Sequence, residues 1–465
     1  MNKKSKLKIV LIGAGSAGFG QGTIADIMAE KALRNFQVTA VLVDVDEAAL
    51  RRMHRLAEKL KEYYKAPFAV ESTPDRRKAL PGADYVITSV ATRRWDYWQK
   101  DFYIPAAYGF RQTYGEGAGP GAAFHTLRSL NLMVPIAKDM EELCPEALLI
   151  NFSNPESRVC LAVSKLTRIN AVGLCHGPIH TLTRISEALG RSAEEIELTV
   201  GGINHFHWAL EVREKSSGRD LYPDIDRVID SYEWDIKGFT ALMYHLFGKI
   251  TYPAPSHPGE YFPFAHELVG PKALEWGIGR VSQRLSSTGS DLEYVLEGRR
   301  NMPSYELWSM DLVKRIDDFL AGKIPITTPD VFFKTDLTHP TMELAIPIIC
   351  DIELDRKRRE LAGNVVNRGL AVSNLPEDAV VEVPLEVGAS GIQPVQVGPL
   401  PEALAGVCAL QISIMKLLVE AYRQKSKALL LQALMIDPIV DSYRRAREMM
   451  ETMLKVEADV LPELH

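Results

Sequence analysis

The sequence predicts a two-domain α/β protein, with a doubly wound parallel sheet over residues 1–195 followed by a mixed α+β domain over residues 196–465. Three observations carry that expectation. Short apolar strands alternate with helical patterns through the first 195 residues, the first strand runs directly into a cluster of glycines, and the alternation stops near Glu197. A length of 465 residues has room for two such units, and 46% hydrophobic with 25% charged residues is ordinary for a folded globular chain.

Taken in order, Leu7–Ile12 reads as an apolar strand and Gln21–Leu33 as a helix, with a glycine-rich turn between them. A second strand, Val38–Val45, ends in acidic residues, and Glu47–Tyr64 follows as a long amphipathic helix. Further strands are expected at Tyr85–Val90, Leu148–Phe152 and Ala171–Leu174, separated by helical patterns such as Thr126–Leu143. Beyond Glu197, Leu198–Val200 and His207–Val212 read as strands and Tyr252–Phe264 as a Pro/Gly-rich loop. Leu312–Thr338 mixes charges with short apolar pieces, Ala379–Val387 alternates as a strand does, and Leu404–Met435 reads as one long helix. With no linker or repeat in view, the second domain is expected to pack on the first and leave a cleft between them.

Lys and Arg total 54 against 60 Asp and Glu, a net charge of −6, so there is no basic field to hold nucleic acid or an anionic membrane. Five cysteines without paired short spacing suit a reducing compartment, and a cytoplasmic protein is expected. The apolar run behind the basic start, Met1–Lys8, is short, broken by glycines and without a small-residue cleavage pattern, so no signal peptide is expected, and no apolar stretch is expected to reach the length of a membrane span.

Gly13-Ala14-Gly15-Ser16-Ala17-Gly18 matches G-x-G-x-x-G between a strand and a helix, and Asp44 closes the second strand. Gly13 allows the tight turn, Gly15 admits the pyrophosphate to the backbone, and Gly18 lets helix and strand pack; this is the Rossmann dinucleotide fingerprint in its proper context. Asp44 would accept from ribose hydroxyls and repel a 2′-phosphate, which favours NAD over NADP.

Four further segments carry chemistry. Asn151-Phe152-Ser153-Asn154-Pro155 ends a central strand, where two carboxamides either bind sugar hydroxyls or form an Asx turn that stops the strand. Cys175-His176-Gly177-Pro178 and, further on, Asn204-His205-Phe206-His207 supply metal-ligand types at strand ends, although such residues equally pack or cap turns. Ser256-His257-Pro258-Gly259-Glu260-Tyr261 gathers three proton-moving side chains in one loop, or forms a polar surface turn. The segment Gln112–Gly121, with Glu116, reads as a loop folded against a cofactor or as a helix lead-in.

Read together, these motifs resemble glycoside hydrolase family four, the NAD- and metal-dependent glycosidases. The resemblance runs from Lys8 to about Tyr443. Its carriers are IGAGS at Ile12–Ser16, Asp44, IPAAYG at Ile104–Gly109, GPG at Gly119–Gly121 and NFSNP at Asn151–Pro155. They continue with GLCHG at Gly173–Gly177, GINHF at Gly202–Phe206, HPGEY at His257–Tyr261 and NLPEDAVVEVP at Asn374–Pro384.

The resemblance implies a fold like that of lactate and malate dehydrogenases, and a divalent metal, usually manganese, on Cys175 and His205. It places Asn154 beside the substrate hydroxyls and implies a homodimer or homotetramer. It also implies a mechanism outside the two-carboxylate scheme of most glycosidases. NAD takes hydride from C3 of the sugar, a base removes the C2 proton, the leaving group departs from C1, water adds and the hydride returns. The family's base is a Tyr or an Asp of the loop corresponding to Ser256–Tyr261. With no Asp there, Tyr261 and His257 are the candidates, Glu260 orients one of them, and His176 joins the catalytic set. Family members that hydrolyse 6-phosphosugars follow the metal Cys with Asp-Met-Pro, whereas this chain has His176-Gly177-Pro178, which favours an unphosphorylated α-galactoside or uronic acid glycoside. The stretch Thr92–Trp98 could stack on a sugar while Arg93 or Arg94 pairs a carboxylate, or could pack as a helix on a neighbouring subunit. An NAD-dependent hydroxy-acid dehydrogenase is the alternative.

Overall fold

The structure, a computed structural model, describes residues 5–235, 238–273, 304–330 and 334–465. Strand β1 (Lys6–Ile12) is apolar and buried on both faces, as a central parallel strand must be. It is followed by α1 (Phe19–Ala29), β2 (Gln37–Val43) and α2 (Glu47–Tyr64). The expected first helix is shorter than its apolar pattern, because Ala32–Asn35 tightens into a 3-10 turn that carries Leu33 into the core. Helix α2 begins where expected because the Asp46 carboxylate accepts from the Ala48 and Ala49 amides at 2.9 and 3.0 Å.

The first half continues with β3 (Ala69–Thr73), a short α3 (Arg76–Ala79), β4 (Tyr85–Thr88), α4 (Arg94–Ala107) and α5 (Pro120–Leu143). It closes with β5 (Leu148–Asn151), α6 (Glu156–Leu166), β6 (Ala171–Gly173) and α7 (Gly177–Leu189). Strand β3 has no apolar alternation because it lies at the sheet edge, mostly exposed, and the sequence gives no sign of it. Helix α5 starts six residues before the expected Thr126, since Gly119 turns the chain at φ +85° and Pro120 occupies the first helical turn. The aromatic Thr92–Trp98 stretch opens α4, which buries Tyr97, Trp98, Phe102 and Tyr103.

Strands β7 (Ile196–Ile203) and β8 (Phe206–Glu214) form a separate antiparallel hairpin whose turn is Asn204-His205. The C-terminal half then returns to the first sheet through β9 (Arg358–Val366), β10 (Val380–Gly388) and β11 (Gly391–Pro394). The nine-stranded order is β11-β10-β9-β6-β5-β4-β1-β2-β3, parallel from β3 to β6 and antiparallel from β6 onward. Both halves of the sequence therefore share one sheet.

The expected single helix over Leu404–Met435 is two, Glu402–Gln424 and Lys427–Met435. Lys425 turns left-handed at φ +53° and the Ser426 hydroxyl caps the second helix. Glu402–Gln424 is also long and apolar enough, by length and composition, to cross a membrane, contrary to the expectation that no segment would be. Its apolar residues are spent on the protein core, where it packs on α5 and α6.

Candidate active site

The glycine turn after β1 is shaped by close approach. Gly13 has φ +92°, and a Cβ there would lie 2.1 Å from the Ser89 carbonyl oxygen, so no other residue fits. The Gly15 amide donates to Asp44 Oδ2 at 2.8 Å and the Asp46 amide to Asp44 Oδ1 at 2.9 Å, so the acid at the end of β2 also ties down the turn. A further glycine, not singled out from the sequence, completes the packing: a Cβ on Gly20 would meet the Ala14 oxygen at 2.3 Å. Ser16, Gly18 at the start of α1, and Asp44 line a cleft of about 830 Å³ that extends to Arg94, His125 and Asn154.

At the end of β5 the two asparagines part ways. Asn151 is fully buried, and its carboxamide accepts from Thr88 Oγ1 and from the Ser153 amide, both at 3.0 Å, so it builds the turn and does not face the cleft. Asn154 does face it, and its Nδ2 donates to Glu116 Oε1 at 3.4 Å. Glu116, expected against a cofactor, is buried where Asn154 and Arg94 converge; Arg94 Nη2 reaches the same carboxylate at 2.9 Å and lies over the Trp95 ring. An aromatic run, Trp95, Trp98, Tyr114 and His257, lines up from there with ring centroids 5.0–5.6 Å apart.

The histidines gather at the far side. Among the described residues, Glu116, His205 and His257 place their ligand atoms within 4.8 Å of one another. His205 sits in the β7–β8 turn at φ +64° and is buried, with Nδ1 lacking any hydrogen-bond partner. Burial pushes its pKa down to about 3, with His176, His207 and Arg94 adding in the same direction, so the imidazole is neutral and offers a lone pair. Burial likewise holds His257 well below its ordinary value, and its Nδ1 lies 3.2 Å from Ser256 Oγ. A buried neutral histidine with an orphan nitrogen beside a carboxylate is a donor set that suits a divalent cation.

Cys175 stands in the turn between β6 and α7, half-buried, with Sγ accepting from the Gly177 amide at 3.4 Å. Burial, then the nearby Glu382 and Glu156, pushes its thiol up, so it becomes a thiolate only when positive charge arrives. His176, at the start of α7, is exposed on that turn. Tyr252, buried and not recognised from the sequence beyond opening its loop, is the hub of this region, with the rings of His180, His205, His207 and His257 at 5.0–6.3 Å. Aromatic hubs of this kind leave no periodic signal.

In the HPGEY loop, Glu260 is buried and its carboxylate accepts from the Glu116 and Gly117 amides at 2.6 and 2.9 Å. Burial raises its pKa to about 8 against those two bonds. Tyr261 is 2% exposed and its hydroxyl donates to the Asn204 oxygen at 2.8 Å, one residue before His205. A Cβ placed on Gly117 would lie 2.9 Å from Glu260 Oε2, 3.0 Å from Tyr261 Oη and 3.4 Å from His205 Nδ1, so all three side chains converge on one glycine.

Sheet and site together define an enzyme of the dinucleotide-fold class, with its polar groups gathered at the strand ends. The Family 4 glycosyl hydrolase description matches residues 8–191, and the Family 4 glycosyl hydrolase C-terminal domain matches residues 200–440. The chain is 32% identical over 462 residues to an alpha-glucosidase of Erwinia rhapontici, covering 96% of this chain and 97% of the relative. It is 32% identical over 466 residues to an alpha-galactosidase of Bacillus subtilis, covering 98% and 99%. The crystal structure of a 6-phospho-alpha-glucosidase from gut microorganisms, in complex with NAD and Mn2+, superposes with a TM-score of 0.78 at 22% identity over 99% of this chain and all of the other. The protein belongs to family 4 of the glycosyl hydrolases.

Proposed function

We propose that this glycosyl hydrolase is NAD- and divalent-metal-dependent and acts on an unphosphorylated glycoside, with α-galactosides and uronic acid glycosides favoured. One observation carries the reading: the cleft that begins at the glycine turn and Asp44 ends at Asn154 and Arg94, both bonded to Glu116 of the cation-competent group. When bound, NAD would supply a reversible hydride acceptor for C3 of the sugar and a manganese-like ion would supply polarisation of the C3 oxygen.

The protein's own groups do the rest. The amides of the Gly13–Gly18 turn and the start of α1 receive the pyrophosphate, and Asp44 accepts from the ribose hydroxyls. Cys175 and His205 would hold the metal, with Glu116 and His257 beside it. Asn154 orients sugar hydroxyls, and Tyr261, which burial holds as a neutral phenol, would release its own proton to solvent when the cation's charge is present and take the C2 proton as the phenolate, Glu260 fixing the Glu116–Gly117 backbone against which Tyr261 lies. Arg94 and Trp95 give a uronate a charge and a flat face. His176-Gly177-Pro178, in place of Asp-Met-Pro, and relatives named alpha-galactosidase and alpha-galacturonidase support the substrate class. The protein would work in the cytoplasm as a homodimer or homotetramer, which sedimentation can read.

The test is a panel of nitrophenyl galactosides, glucosides, uronides and 6-phosphates, assayed with NAD, manganese and reductant omitted in turn. Hydrolysis that needs all three and accumulates no NADH is expected. NADH accumulating on a hydroxy acid would show a dehydrogenase instead. Within the same reading, Asp44→Ala should weaken NAD binding roughly 10- to 100-fold, the worth of a charged hydrogen bond, because the ribose acceptor and the tether on Gly15 go together. Manganese affinity should stay unchanged. An unaltered NAD dissociation constant in calorimetry would displace Asp44 from the cofactor site.

A further inference from the structure

The two proposed metal ligands come from separate segments, Cys175 from the β6–α7 turn and His205 from the β7–β8 hairpin, and a buried chain of side chains joins them. On the hairpin, His207 is fully buried and uses both ring nitrogens. Its Nδ1 lies 2.7 Å from Glu382 Oε2 and its Nε2 lies 2.9 Å from Thr181 Oγ1. The Glu382 carboxylate accepts, so ring Nδ1–H donates to it, and Nε2 meets the Thr181 hydroxyl, which also lies 3.1 Å from the Gly177 oxygen. The Gly177 amide in turn donates to Cys175 Sγ. His207 therefore has no nitrogen left for a metal, whereas His205, two residues earlier, has an orphan one.

Glu382, 1% exposed on β10, is the anchor. Besides His207 it accepts from Asn364 Nδ2 at 2.9 Å and from Asn204 Nδ2 at 3.5 Å, so it holds the residues on both sides of His205. Asn204 is pinned again by its amide to Ser157 Oγ at 3.2 Å and by Nδ2 to Glu156 Oε2 at 3.3 Å. All of these groups are buried, so a lost partner is not replaced by water.

We propose that Glu382, acting through His207 and Thr181, is a positioning residue that sets the separation of the Cys175 turn and the His205 hairpin for a shared divalent cation. This rests on the metal reading above. Partners that orient metal ligands in this way commonly change affinity by 10- to 100-fold when removed.

The experiment titrates Mn2+ into NAD-saturated wild type, Glu382→Gln and Thr181→Val, and records the thiolate-to-cobalt absorption of the Co2+-loaded proteins. Glu382→Gln keeps the volume and should weaken Mn2+ binding about 10- to 100-fold and diminish the cobalt band. Thr181→Val cuts only the hydroxyl link and should cost about fivefold, the worth of one neutral hydrogen bond. NAD affinity, which a general loosening of the fold would also lower, should stay within about twofold in both, below the worth of one such bond. If Glu382→Gln does not fold, Thr181→Val alone decides. Wild-type Mn2+ affinity and cobalt spectra in the folded variants would overturn the proposal while leaving the metal reading intact. Absence of the thiolate band from wild type would remove Cys175 as a ligand, and the proposal with it.

Discussion

In NAD-saturated protein, His205→Asn should lose divalent-metal affinity and turnover together, each by about a thousandfold, the equivalent of roughly 4 kcal/mol. Asparagine is the right replacement because His205 stands at φ +64°, where asparagine is tolerated and alanine adds strain of its own. The side chain leaves a pocket in which its Nδ1 has no protein partner, so no hydrogen bond to that atom is lost. The unfolding midpoint without metal should accordingly move little, and calorimetric titration of Mn2+ checks the affinity. Tight Mn2+ binding by His205→Asn would place the ion elsewhere.

The second large effect is isotopic. If Tyr261 receives the C2 proton, hydrolysis in D₂O should leave deuterium at C2 of every released sugar, read by NMR, whereas direct displacement at C1 leaves none. Tyr261→Phe should lower the chemical step by about a hundredfold or more, with NAD binding intact. It should also cost about 1–3 kcal/mol of stability, because the buried Asn204 oxygen loses its donor. A product without deuterium at C2 excludes elimination. Deuterium incorporation by a fully active Tyr261→Phe would pass the role to His257.

Much of this architecture is legible in the residues. Strands buried on both faces, such as β1 and β4, announce themselves as continuous apolar runs, and Asp46 marks the start of α2 by its capping chemistry. The exposed edge strand β3 and the charged start of β9 carry no such pattern, and their existence depends on neighbours far away in the chain. The site divides along the same line. The glycine turn and Asp44 form a local motif, so spacing alone exposes them. The burial of Asn151, the pairing of Arg94 with Glu116 and the ring cluster around Tyr252 arise from long-range packing, which single residues do not encode. Glu382 lies within an alternating strand that is also part of the NLPEDAVVEVP segment, but nothing in that pattern gives it a role, which appears only when β10 meets the hairpin.

That β9 pairs with β6 sets a timetable for synthesis. The partner of Gly173 is Asn364, about 190 residues further along, so at ribosomal rates of about 5–20 residues per second the outer edge of β6 waits roughly 10–40 s for its cover. A nascent chain of that length exposes an apolar strand edge, the kind of surface that recruits chaperones or other chains. Slowing translation after α7, or truncating before residue 358, should therefore send the product toward aggregates, although its glycine turn is already complete.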